Sequence, residues 1–168
     1  YQGFKIYEWD HEARLLAESS AKMFLKPWRE KGNCHENFLA TNGEGSSDPH
    51  YTWGALMALI AVEELIDANP WHGLRFGTPE PVEAGAIERY PVAGALYDVE
   101  LSKDGLLVKC DGRPLFTADS AVEIRHVAFK GARVDFEVRA QRPVNVRVGR
   151  GEAREFGPGV TRGAGQFV

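Results

Sequence analysis

Apolar and small residues recur at Trp9, Ala13, Leu16, Ala17, Ser20, Met23, Phe24 and Trp28, the three-and-four spacing that turns one face of a helix toward a core. Asp10, Glu12, Arg14, Glu18 and Lys22 occupy the opposite phase, so residues 9–28 predict an amphipathic helix. Pro27 has no backbone N–H and crowds the preceding turn, which predicts an end or a kink near Leu25, with Gly32 available as the final cap. Residues 33–47 hold Asn42, Gly43, Gly45, Ser46 and Ser47, all turn formers, and read as a loop. Asp48 and Pro49 then read as an N-cap and a first helical position, opening a second helix over residues 52–67. Residues 55–62 are apolar on every side. A helix without a polar face needs burial all round, which two helices and a loop do not provide. The chain, which begins at Tyr1 and not at a methionine, is therefore expected to be a piece of something longer.

The pattern changes after residue 77. Alternation or short β-branched runs mark residues 85–90, 95–101, 106–110, 122–129, 133–140 and 144–148, and Lys103-Asp104-Gly105, Asp111-Gly112 and Lys130-Gly131 supply the hairpin turns. Two prolines and a glycine between residues 77 and 81 mark a connector. The organisation predicted is a helical part over residues 1–77, then an antiparallel, sandwich-like β domain over residues 78–168. The glycine-rich tail, residues 151–165, is expected to be poorly ordered.

Composition narrows the partners. With 20 Lys and Arg against 24 Asp and Glu, the net charge of -4 is mild and the signs are mixed along the chain, so neither nucleic acid nor an anionic membrane surface is an expected partner. Cys34 and Cys110 lie far apart and read as free thiols, which fits a reducing, cytoplasmic setting. No apolar run is long enough to span a bilayer.

Candidate chemistry concentrates between Cys34 and Ala58. Glu36, beside Cys34, His35 and Asn37, could be desolvated enough to serve as a general base, or could be an ordinary solvated loop acid. Glu44 sits between Gly43 and Gly45, where the backbone can present it to a ligand or simply turn. Tyr51 and Trp53, at the mouth of the apolar helix, offer flat faces for sugar C–H surfaces or for core packing; Trp9, Trp28 and Trp71 read as packing residues. Cys34, His35, Asp48 and His50 have ligand chemistry, but their spacing matches no closed zinc pattern. A Cys34 nucleophile served by His50 is a further arrangement that the loop permits.

The runs H-E-N-F at 35–38, T-N-G-E-G at 41–45 and D-P-H-Y-T-W-G-A-L at 48–56 resemble the C-terminal end of an (α/α)6-barrel glycosidase. The pattern is similar to glycoside hydrolase family 63, which includes processing α-glucosidase and mannosylglycerate hydrolase, and the trehalases share the arrangement. The resemblance covers residues 28–77. It implies two helices and an active-site loop from the end of an (α/α)6 barrel, followed by the β domain as a cap. It implies an inverting hydrolase of α-linked glucosides, mannosides or related oligosaccharides, with no cofactor and no metal. Glu36 falls on the general base; Glu44, His35, Asn37, Tyr51 and Trp53 fall on or beside substrate-binding positions. In such enzymes the two carboxyl groups stand roughly 6.5–9.5 Å apart to admit the attacking water. The general acid and the remaining N-terminal barrel helices have no counterpart in these residues, so this chain alone is expected to be inactive. The competing expectation is a non-catalytic carbohydrate-binding or interaction module, working through aromatics such as Tyr90, Tyr97 or Phe116.

Overall fold

The computed structural model describes residues 1–50 and 52–167, with the backbone alone at residues 52 and 53. It forms two compact units, Tyr1–Glu64 and Leu65–Val168.

The first unit opens with α1 (Gln2–Ile6) and α2 (Asp10–Lys31). Ala13, Ala17 and Ser20 form the buried stripe of α2, a face of small residues, whereas Trp9 and Trp28 are more than half exposed. The broader aromatic face expected from the spacing is thus not the one that is buried. Pro27 does not end α2 near Leu25: the helix runs on for about one more turn to Lys31, where Gly32 adopts a left-handed conformation (φ 64°) and its N–H donates to Trp28 O. One proline deletes one hydrogen bond, and the turns on either side keep theirs. Beneath α1, the buried Lys5 ammonium lies 3.1 Å from Asp10 and 3.6 Å from Glu64, which also accepts the Tyr1 hydroxyl. A buried cation is tolerable only with such company.

The short ribbon β1 (Asn37–Phe38) and β2 (Gly45–Ser46) follows, then a 3-10 turn (Thr52–Ala55) and α3 (Leu56–Leu65). The helix expected over residues 52–67 therefore loses its end to a strand. Ile66 begins β3 (Ile66–Asn69), which pairs antiparallel with β4 (Gly73–Phe76) in the second unit. Glu63 and Glu64 interrupt the apolar run, and Leu65, Ile66 and Asp67 are too few to carry a period that separates helix from strand. The hairpin is fixed by the turn instead, where Asn69 Oδ1 accepts the N–H of Trp71 and of His72. In α3, Leu56 and Leu59 remain 57% and 47% exposed.

These observations overturn the helical-barrel expectation. The chain is mostly β, 46% strand against 24% helix, and no part of a helical barrel is evident. Among the described residues the helices have 5, 22 and 10 residues, and the segment read as the end of the second barrel helix is sheet.

The antiparallel β part is as the alternation predicts. The remaining strands are β5 (Ala84–Val92), β6 (Ala95–Ser102), β7 (Gly105–Cys110), β8 (Arg113–Ala118), β9 (Glu123–Lys130), β10 (Arg133–Ala140), β11 (Val144–Val148), β12 (Arg154–Phe156) and β13 (Gly159–Gln166). They form one sheet of order β13-β10-β9-β4-β3 and another of order β12-β11-β8-β7-β6-β5. Rings from alternate sheets interlock: Tyr97 meets Phe76 at 5.3 Å, Phe76 meets Phe116 at 6.1 Å, Phe116 meets Phe136 at 5.0 Å and Phe136 meets Phe156 at 6.1 Å between centroids. The tail expected to be poorly ordered supplies β12 and β13. Its glycines answer to packing: a Cβ at Gly163 would lie 2.6 Å from the Phe136 ring, and one at Gly165 would lie 2.5 Å from Val148.

Candidate functional site

The loop singled out by sequence is a closed hairpin. After the Gly32 cap, Cys34 N–H donates to Pro49 O at 3.0 Å and Glu36 N–H to Asp48 O at 2.9 Å, so the two ends of the segment run together. Beyond them Asn37 pairs with Ser46 and Phe38 with Gly45. The tip closes through Leu39 N–H to Glu44 O and Gly43 N–H to Leu39 O, both 2.8 Å. Side chains hold both bends: Asn42 Oδ1 accepts Glu44 N–H at 3.0 Å, and Asp48 Oδ1 accepts His50 N–H at 2.8 Å. Asp48 thus caps a turn two residues ahead of the 3-10 segment, the local competition that makes Asp good at helix entries and at turns alike.

Two glycines seat His35. Its ring lies where a Cβ on Gly45 would be, 2.0 Å from the imidazole Cδ2, and its carbonyl oxygen lies 2.1 Å from where a Cβ on Gly54 would be. Phe38 meets the imidazole edge-on at 6.3 Å. The His35 Nδ1 atom is buried and has no hydrogen-bond partner among the described residues. Asn37 Nδ2 donates to Ser47 Oγ at 3.3 Å, tying the arms together beside Glu36.

Glu36 is half-buried, and among the described residues nothing hydrogen-bonds or ion-pairs with its carboxylate. Glu44 is exposed at the tip, on the opposite arm. The fold therefore brings Glu36, His35, Asn37 and Glu44 onto one hairpin. Tyr51 lies outside the described residues, as does the side chain of Trp53.

The thiol and metal arrangements fare differently. Cys34 is buried, and burial raises its thiol pKa, which disfavours the nucleophilic thiolate. His50 is paired with Cys34 through the backbone as an isolated bridge. Among the described residues no group of three or more His, Cys, Asp or Glu is placed to hold a metal ion. Tyr97 and Phe116, offered above as sugar-stacking residues, are 3% and 0% exposed and belong to the core between the sheets.

A second cluster escaped the sequence reading. On the polar phase of the five-stranded sheet, Arg75 lies 3.7 Å from both Asp67 and Glu123, and Arg139 lies 2.7 Å from Glu123. Arg125 lies 3.7 Å from Glu123 and 3.4 Å from Glu137. Arg75 and Glu123 are almost fully buried. Charge at Glu123 and Arg125 of β9 and at every second residue of β10 was visible in the sequence, but it reads as a solvated sheet face, and nothing local distinguishes that from a buried one. No helix is long and apolar enough to cross a membrane among the described residues. No protein-family model matches the chain, and neither a curated protein nor a solved structure matches it.

Proposed function

We propose that this chain supplies the general base, Glu36, of an inverting glycoside hydrolase acting on α-linked glucosides, mannosides or related oligosaccharides. The observation that carries the reading is the state of Glu36: its backbone is fixed by the bond to Asp48 O, and its half-buried carboxylate is not engaged by any described residue. A base must have a free lone pair aimed at water. Glu64, Glu123 and Glu137 are committed to cations; Glu36 is not. The ordered motifs around it, with His35 and Asn37 on the same arm and Glu44 across the turn, support the same reading.

In this mechanism Glu36 takes a proton from a water molecule, whose oxygen attacks the anomeric carbon on the face opposite the leaving group. The glycosidic C–O bond breaks as a carboxylic acid from outside this chain protonates the leaving oxygen. The product emerges with inverted configuration. Asn37 and Glu44 offer a donor and an acceptor to sugar hydroxyls.

The test is sugar release from a panel of α-glucosides, α-mannosides and trehalose by the polypeptide that carries this chain together with the acid. Glu36→Gln should lower the rate by about two to four decades while leaving the thermal midpoint unchanged. Equal rates for the two proteins would refute the assignment, and the isolated 168-residue chain should release no sugar.

A further inference from the structure

Where β3 turns into β4, His72 is buried at 7% exposure, and its Nδ1 has no hydrogen-bond partner among the described residues. Its ring centre lies 6.3 Å from that of His126. The backbones are joined as well, since His126 N–H donates to His72 O at 2.8 Å. His126 has φ 51°, a left-handed conformation that a non-glycine residue adopts at a cost, and the register of β9 on β10 shifts beside it. Gly73, at φ 60°, passes so close that a Cβ there would touch the His126 Cα at 3.4 Å. The turn is thus held on β9 by one hydrogen bond and by two imidazoles in a tight corner.

The charges around that corner leave no place for a proton. His72 faces Arg75 from β4 and Glu123, Arg125 and His126 from β9. Behind these stand Asp67 of β3, Glu137 and Arg139 of β10, and Arg162 of β13, bound to Glu137 at 3.4 Å. Each of the three carboxylates already serves at least one guanidinium, so a charged imidazole would have to share a carboxylate that an arginine already holds. Water reaches the His72 ring poorly, although its neighbour His126 is 43% exposed and lies 3.8 Å from Glu137.

We propose that His72 is an acid-sensitive latch: neutral, it closes the β3–β4 turn onto β9, and on protonation it leaves the corner and releases the His126 N–H···O bond. Burial first, then the charges of Arg125, Arg75 and His126, lower the His72 pKa, with Glu123 acting in the opposite direction. The unfolded imidazole titrates near ~6.5. The latch is therefore fully closed above that pH and opens as pH falls from there through the depressed native value.

Hydrogen exchange of the His126 amide, corrected for the intrinsic rate, measures the opening directly. From pH 7.5 to 5.0 its protection should fall, by up to about tenfold per pH unit below ~6.5, while amides in β6 and β7 hold theirs. His72→Gln, which cannot take the proton, should abolish the dependence. Protection that stays flat with pH in the native chain, or that falls equally in His72→Gln, would overturn the proposal. Should His72→Gln fail to fold, the imidazole C–H resonances of the native chain decide: a His72 titration at or above ~6.5 rejects the latch, and one below it that coincides with a shift of the His126 N–H supports it.

Discussion

At Gly54 the backbone leaves room for a hydrogen and nothing larger: a Cβ would stand 2.1 Å from His35 O and 2.6 Å from Cys34 Sγ. Neither neighbour can give way cheaply, because the carbonyl is backbone and the thiol is buried. Gly54→Ala should therefore destabilise the first unit by about 1–3 kcal/mol, read as a shift in the denaturation midpoint of a hairpin reporter such as Phe38. At Asp119 the residue scale is electrostatic. Asn145 donates its side-chain N–H at 2.7 Å and its backbone N–H at 2.9 Å to this carboxylate, and these bonds, the side-chain one foremost, hold its pKa below the ordinary value. Because the native pKa is depressed, the stabilisation is complete above the unfolded value near ~3.9 and disappears as pH falls through the native one. Asn145→Ala should move the Asp119 carboxyl titration, followed by NMR, back toward the ordinary range and flatten the acid limb of the stability curve.

At the scale of elements, the strand β13 is held by its missing side chains. Phe136 and Val148 fill the space where Gly163 and Gly165 would carry Cβ atoms, so Gly163→Ala should cost about 1–3 kcal/mol. Gly157→Ala, where nothing lies within 4 Å, is the control and should leave the thermal midpoint nearly unchanged. This contrast explains what a sequence discloses. The strands β10 and β11 were legible to the residue because apolar side chains alternate through them, and β6 and β7 to within one residue because Lys103-Asp104-Gly105 joins two alternating runs. In β13 the core-facing positions are glycines, so alternation is invisible and composition suggests a loose tail. The strand β8 carries Pro114, β3 begins inside the stretch assigned to a helix over residues 52–67, and β4 has only four residues; β8 and β4 pair with strands further along the chain. Within the candidate hairpin, the turn residues Asn42 and Gly43 were readable from local chemistry, whereas Asp48, read as a helix N-cap, holds the turn at His50 instead. The seating of His35 on Gly45 and Gly54 was not, since it joins residues from three separate stretches.

At the scale of the molecule, the two units put different demands on the same substitution experiments. The second unit is held together by rings that alternate between its sheets, and Phe116 touches both Phe76 and Phe136 from the opposite sheet. Phe116→Ala removes the middle of that column and leaves a cavity, which should cost about 3–5 kcal/mol. The chemistry proposed for the first unit rests instead on an oxygen of Glu36 that no described side chain uses. Replacing it by an amide keeps the backbone bond to Asp48 and the shape of the side chain, while removing the capacity to take a proton. In the polypeptide that carries this chain with its acid, Glu36→Gln should lower sugar release by about two to four decades at an unchanged unfolding midpoint. Phe116→Ala should lower the midpoint of the second unit while the rate, measured well below that midpoint, is retained. The pair separates a base from a packing residue. A Glu36→Gln protein that loses stability in proportion to its activity would make Glu36 a structural loop acid, whatever the motifs around it resemble.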